Sequence, residues 1–218
     1  MSGIRLIVGL GNPGREYSQT RHNAGFRWVD ALADSLGASW AKESKFSGHV
    51  ARAKAGGGDV FLLKADTFYN LTGKAVQALA QFYRIPVEQI LAVHDELDLP
   101  AGGVKLKQGG GTAGNNGLKS MQAQLANANF WRLRIGIGHP REFAAKFGAE
   151  SPEVVDYVLH APAKDEAVLI DEVFKKTIDL VPLLASGEME RAMMQLHSKQ
   201  AKQTKPAATE EQKAKESK

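Results

Sequence analysis

The chain has 218 residues, of which 24% are charged and 43% hydrophobic, with a net charge of +4. That is the composition of an ordinary globular protein with one sizeable core, and the absence of cysteine excludes disulfides, thiolate nucleophiles and Cys-ligated metals. The charge is uneven: residues 1–198 carry only +1, whereas residues 104–149 hold seven Lys and Arg against Glu142 alone, the pattern of a localised anionic partner such as nucleic acid or of a solvated basic face.

In chain order, the opening "MSGIRLIVGLGNPG" has an apolar run that breaks at glycines. It reads as a first strand, 4–10, and not as a signal peptide. Apolar runs predict further strands at 48–54, 59–64, 90–94, 104–107 and 132–138. Val29, Leu32, Ala33 and Leu36 recur at helical spacing, as do Val76, Leu79, Ala80 and Tyr83, and the segments 117–126, 151–159 and 164–185 also read as helices. Strands alternating with helices predict an α/β fold with a mainly parallel sheet, in a single domain over 1–198. Strands 4–10, 59–64 and 90–94 are apolar on both faces and belong at its centre. Residues 199–218 contain six Lys and no Leu, Ile, Val, Met or aromatic residue, which predicts a basic, disordered tail. No run of eighteen apolar residues occurs, so no membrane helix is expected and the cytoplasm is the default location.

Ligands of such sheets bind beyond the carboxyl ends of the strands. The residues expected there are Gly11-Asn12-Pro13, Thr67-Phe68-Tyr69-Asn70 and Asp95-Glu96. The first group lies in a Gly9-x-Gly11-x-x-Gly14 spacing that mimics a dinucleotide fingerprint. A pyrophosphate loop must open directly into a helix, however, and an acidic residue should end the next strand. Here "REYSQTRHN" intervenes and "GHVARAK" has no acid. The glycines instead suit a tight turn that holds the Asn12 side chain at the mouth of a cleft. A second glycine-rich loop, "GGGTAGNNG" (109–117), lacks the Gly-Lys-Ser/Thr of a P-loop. Asn115 or Asn116 could cap the helix after it, and the loop reads either as a flexible connection or as a mobile lid.

Without a Gly-x-Ser-x-Gly or a cysteine, hydrolysis needs water as nucleophile and a base that titrates near neutrality, usually His. His22 lies between the first strand and the first helix, and Asp95 at another strand exit could fix its tautomer. His94, Glu96 and His22 form the one cluster that could hold a metal, on which a metal-dependent amidase or esterase would rest.

The segments "VGLGNPGREYSQTRHNAGF", "TFYNLTGKAV", "VHDELDLPAGGVKLKQGGG" and "FWRLRIGIGHP" occur in this order and together resemble the bacterial peptidyl-tRNA hydrolase family. The resemblance runs from about Ile4 to about His197. It implies a monomeric single α/β domain with a twisted mixed sheet flanked by helices, needing no cofactor and no metal. The implied activity is hydrolysis of the ester between a peptide and the terminal ribose of tRNA. It implies His22 as catalytic base, Asp95 as its partner and Asn12 as the residue that discriminates against unblocked aminoacyl-tRNA. It places Tyr17, Phe68, Asn70 and Asn116 along the tRNA and peptide site, and Lys107 and Arg134 at tRNA phosphates. Related organellar splicing factors, which bind RNA without hydrolysis, are the rival reading; the joint presence of His22, Asp95 and Asn12 speaks against it. The sequence departs from the family pattern at Asn115, where a histidine is usual, with Ala113 in the same loop, and at Tyr69, where many members carry Met.

Overall fold

The protein is described here by a computed structural model in which residues 2–147 and 150–201 are placed. The elements in chain order are β1 (Leu6–Gly9), α1 (Ala24–Ser35), β2 (Ala41–Glu43), β3 (Gly48–Ala55), β4 (Gly58–Ala65), α2 (Thr72–Phe82), β5 (Ile90–Glu96), β6 (Val104–Gln108), α3 (Asn116–Leu125), β7 (Trp131–Gly136), α4 (Pro140–Phe147), α5 (Val154–Val158), α6 (Lys164–Ile178), α7 (Val181–Ser186) and α8 (Met189–Ala201). The long helix expected over 164–185 is two helices, broken at Asp179-Leu180, with Pro182 in the first turn of α7. Proline has no N–H to continue the α6 ladder. The short strand β2 and the helices α4 and α8 are additional to the sequence reading. The tail expected from 199 begins inside α8, and 202–218 lie outside the described residues.

The sheet has the order β2-β3-β4-β1-β5-β7-β6, so the three strands apolar on both faces occupy its middle, as expected. β1 runs parallel to β4 and β5, and β5 parallel to β7. The pairings β2–β3, β3–β4 and β6–β7 are antiparallel. The sheet is therefore mixed, with parallel pairing confined to β4, β1, β5 and β7 rather than prevailing throughout. β3 and β4 form a hairpin because only the Gly56-Gly57 turn separates them, both residues at positive φ, and a two-residue link permits no crossover.

Alternation along the strands builds a core on each face. Ile7, Leu91 and Val93 pack with Trp28, Val29 and Leu32 of α1 and with Val173, Leu184 and Leu196 of α6, α7 and α8. Leu6, Val8, Ile90 and Ala92 pack with Val76 and Leu79 of α2 and with Leu118 and Met121 of α3. The chain leaves β1 for α1 on one face and leaves β4 for α2 on the other. A crevice therefore opens between the adjacent carboxyl ends of β1 and β4.

Candidate active site

Two 3-10 turns, Arg15–Tyr17 and Arg21–Asn23, separate β1 from α1. No α-helix starts after Gly14, only a three-residue 3-10 turn, and the dinucleotide geometry is absent from this loop. The "HNAGF" stretch positions the second turn. A Cβ at Gly25 would come within 2.2 Å of the Val93 carbonyl oxygen and 2.5 Å of the Leu10 nitrogen, so only glycine allows α1 to begin this close to β1 and β5. Three residues earlier, His22 is thereby brought against the end of β5. Asp95 and Glu96 are the last two residues of that strand, not residues beyond it as expected from the sequence.

His22 Nδ1 lies 2.9 Å from Asp95 Oδ2, with 18% of the His22 side chain and 4% of the Asp95 side chain exposed. An ionised carboxylate only accepts hydrogen bonds, so Nδ1 carries the proton and Nε2 keeps its lone pair. The other Asp95 oxygen, Oδ1, accepts from the Tyr69 hydroxyl at 2.7 Å. The Tyr69 ring stacks on the imidazole, with centroids 3.6 Å apart and planes 13° from parallel. Burial pushes the Asp95 carboxyl up, but the His22 charge, the bonds from His22 and Tyr69 and the nearby His94 outweigh it and hold the group below the usual carboxylate value. Burial and the Asp95 charge push the Tyr69 phenol well above its ordinary value, so it stays protonated.

Asn12 is anchored on both sides. Its backbone N–H donates to Asn23 Oδ1 at 2.8 Å, and Asn23 Nδ2 donates back to the Asn12 carbonyl at 2.9 Å. Asn12 Oδ1 accepts from the Tyr69 N–H at 2.8 Å, a bond that spans the crevice between β1 and β4. That bond fixes which end of the amide faces Tyr69, and the two Nδ2 hydrogens are left for a ligand.

A cleft of about 530 Å³ is lined by His22, Asp95 and Glu96, by the loop 112–116 and by Val154, Val155 and Val158. Of the residues proposed from sequence, His22, Asp95 and Asn116 line this cleft. Asn12 lines a different opening of about 250 Å³ and is linked to His22 and Asp95 through Tyr69. Phe68 is 57% exposed, and Asn70, on the turn Tyr69–Leu71, is exposed as well. Tyr17, on the first 3-10 turn, is half-buried. These three lie outside the cleft lining.

Lys107 and Arg134 line a separate pocket of about 170 Å³ with Arg132, Glu96 and His94. Here β6 and β7 set Lys105 opposite Arg134 and Lys107 opposite Arg132. Like charges face to face destabilise a sheet, and two of these are answered internally. Arg132 donates to the carbonyls of Gly110 and Gly111, and Arg134 Nε to Glu96 Oε2 at 2.7 Å. Lys105 and Lys107 are exposed. His94 Nδ1 donates to the Asp95 carbonyl at 2.7 Å, and its Nε2 is buried without a partner. His94, Glu96 and His22 do not come together as ligands, and no group of three His, Asp or Glu side chains among the described residues could hold a metal.

The family model for peptidyl-tRNA hydrolase matches residues 6–205. The chain belongs to the peptidyl-tRNA hydrolase family. A peptidyl-tRNA hydrolase of Bordetella petrii is 53% identical over 197 residues, covering 90% of this chain and 91% of the relative. One of Nitrosomonas eutropha is 51% identical, covering 90% and 97%. The crystal structure of peptidyl-tRNA hydrolase from Acinetobacter baumannii superposes with a TM-score of 0.83 at 43% identity, over 90% of this chain and 95% of that one.

Within this peptidyl-tRNA hydrolase family member, Asn115 and Tyr69 are bonded to each other. Asn115 Nδ2 donates to the Tyr69 hydroxyl at 2.9 Å, and Asn115 Oδ1 caps α3 by accepting from the Leu118 N–H at 3.0 Å. Of the two candidate caps, Asn115 is the one used. Sequence reasoning placed Tyr69 among the residues at the strand exits and noted it as a departure, but gave it no role. The signal that could have found its role is its place between Phe68 and Asn70 at the exit of β4, level with Asn12 and Asp95.

Proposed function

We propose that this chain, a hydrolase of peptidyl-tRNA by family, cleaves the ester with water activated by His22. The observation that carries the reading is the 2.9 Å contact between His22 Nδ1 and Asp95 Oδ2 at the wall of an open cleft. His22 Nε2 takes a proton from water, whose oxygen attacks the ester carbon and pushes the carbonyl electrons onto oxygen. The two Asn12 Nδ2 hydrogens are suited to the developing oxyanion or to a neighbouring peptide carbonyl. Collapse breaks the bond to the ribose oxygen, which recovers the proton from Nε2. A positioned base of this kind contributes roughly 10²–10⁴-fold.

The same Asn12 orientation supports discrimination. The two Nδ2 hydrogens suit the carbonyl that a blocked α-amide presents, whereas an α-ammonium is a donor only and meets them donor to donor. Asn116 at the start of α3, Phe68, Asn70 and Tyr17 provide polar and aromatic groups around the acceptor end, and Lys107 with Arg134 its phosphate contacts. We assign the working form as a monomer in the cytoplasm, where the substrate arises. Among the described residues no helix is long and apolar enough to cross a membrane.

The test is turnover of an N-blocked aminoacyl-tRNA beside the unblocked form, with and without a chelator. Rapid release of the blocked amino acid alone, unaffected by chelation, is the expected result. Loss of activity on chelation would overturn the reading of His22 as a metal-free base.

A further inference from the structure

We infer that Tyr69 is a positioning residue for the reaction, and that Asn115 sets the direction in which its hydroxyl donates. The inference rests on the reading of His22 as the base. It follows from the donor and acceptor capacity of four side chains joined in one line.

The line begins at α3. Leu118 N–H is a donor, so the Asn115 atom facing it is Oδ1, and the other end of the amide is Nδ2. Nδ2 only donates, so at 2.9 Å from the Tyr69 hydroxyl it bonds to the oxygen's lone pair. The phenol has a single hydrogen, and the remaining polar neighbour is Asp95 Oδ1 at 2.7 Å. Asp95 Oδ2 then accepts from His22 Nδ1. Every bond in the series points toward the carboxylate, and the helix cap fixes that direction. The ring adds a second constraint by stacking on the imidazole, and Gly117 leaves room for it, since a Cβ there would meet the ring edge at 2.5 Å. The backbone of the same residue orients Asn12. Tyr69 thus touches all three groups assigned to the chemistry and connects them to the 109–117 loop.

The other ionisable groups around His22 do not replace this contact. Glu96, Asp98 and His139 line the cleft with it, but Glu96 is bonded to Arg134. Arg21, adjacent in sequence, is turned to Glu166 and to the carbonyls of Tyr157, His160 and Ala161. His94 donates to the Asp95 backbone and not to its carboxylate.

The experiment is the pH profile of kcat/KM for Tyr69→Phe, Asn115→Ser and the double variant, on an N-blocked aminoacyl-tRNA. Phe keeps the ring and removes the donor. Serine keeps a good N-cap acceptor but cannot reach the phenol. Without the Tyr69 donor the Asp95 charge is less delocalised and attracts the imidazolium more strongly, so the acidic limb moves to higher pH. Tyr69→Phe should lower kcat about tenfold with KM little changed. Asn115→Ser should move the limb the same way by a smaller amount, and should add nothing in the Phe background. An acidic limb that stays in place in Tyr69→Phe, or single effects that simply add, would overturn the assignment. Asp95→Asn, assayed in parallel, should move the limb to lower pH. If it does so while Tyr69→Phe changes nothing, His22 remains the base and only the role of Tyr69 is lost.

Discussion

Among the described residues are two histidine–aspartate pairs of almost equal length. His22 Nδ1 is 2.9 Å from Asp95 Oδ2, and His49 Nδ1 is 2.8 Å from Asp66 Oδ1. The side chains of the second pair are 41% and 31% exposed, against 18% and 4% for the first. Asp66 also has Lys42 Nζ at 3.9 Å, whereas the second oxygen of Asp95 is held by a buried phenol. His49 stands on β3, whose neighbours place Lys42 and Lys64 beside it. The difference is one of surroundings. An exposed pair exchanges its partners with water and is screened by salt. A buried carboxylate with both oxygens bonded holds one tautomer and one ring orientation. Distance alone does not distinguish a base from a surface contact.

That contrast is sharpened first by removing each histidine. His22→Ala should lower kcat by roughly 10²–10⁴-fold with tRNA affinity largely retained, whereas His49→Ala should leave kcat within about twofold. Steady-state turnover and filter binding read both quantities, and comparable losses from the two variants would erase the distinction. The aspartates come next. Asp95→Asn deprives the imidazolium of its charge partner, so turnover should fall about 10²-fold and the acidic limb should move to lower pH. Asp66→Asn should do neither.

A smaller effect is expected at the basic edge. Lys107→Ala should weaken tRNA binding and reduce the slope of log affinity against log salt by about one, with kcat at saturating substrate preserved. The smallest effect belongs to the terminus. Removal of residues 202–218 should leave the melting midpoint within about 2 °C of the full chain, because α8, which contributes Met189, Ala192 and Leu196 to the core, would remain. A large drop would show that the segment docks on the body.

Strands β1, β4 and β5 were legible because burial on both faces leaves an unbroken apolar run. β2 was not, since Ala41–Glu43 is short and exposed and becomes a strand only by pairing with β3. α8 places its apolar residues in a polar segment, and its stripe of Met189, Ala192 and Leu196 acquires meaning only against α6 and α7. The count of cations over 104–149 indicated a basic surface. It could not reveal that Arg132 is committed to loop carbonyls and Arg134 to Glu96, because neutralisation depends on what lies across the sheet.

Residue types and local spacing were enough to give an α/β chain with its expected ligand site at the strand exits, and the resemblance to a known family singled out Asn12, His22 and Asp95 as candidates for the chemistry. Which imidazole nitrogen faces the carboxylate, which end of the Asn12 amide faces Tyr69, and what Tyr69 touches were decided only on folding. A hydrogen bond has a direction, and that direction is set by whichever donor or acceptor the tertiary structure brings within about 3 Å, here from residues 11 to 73 positions apart along the chain.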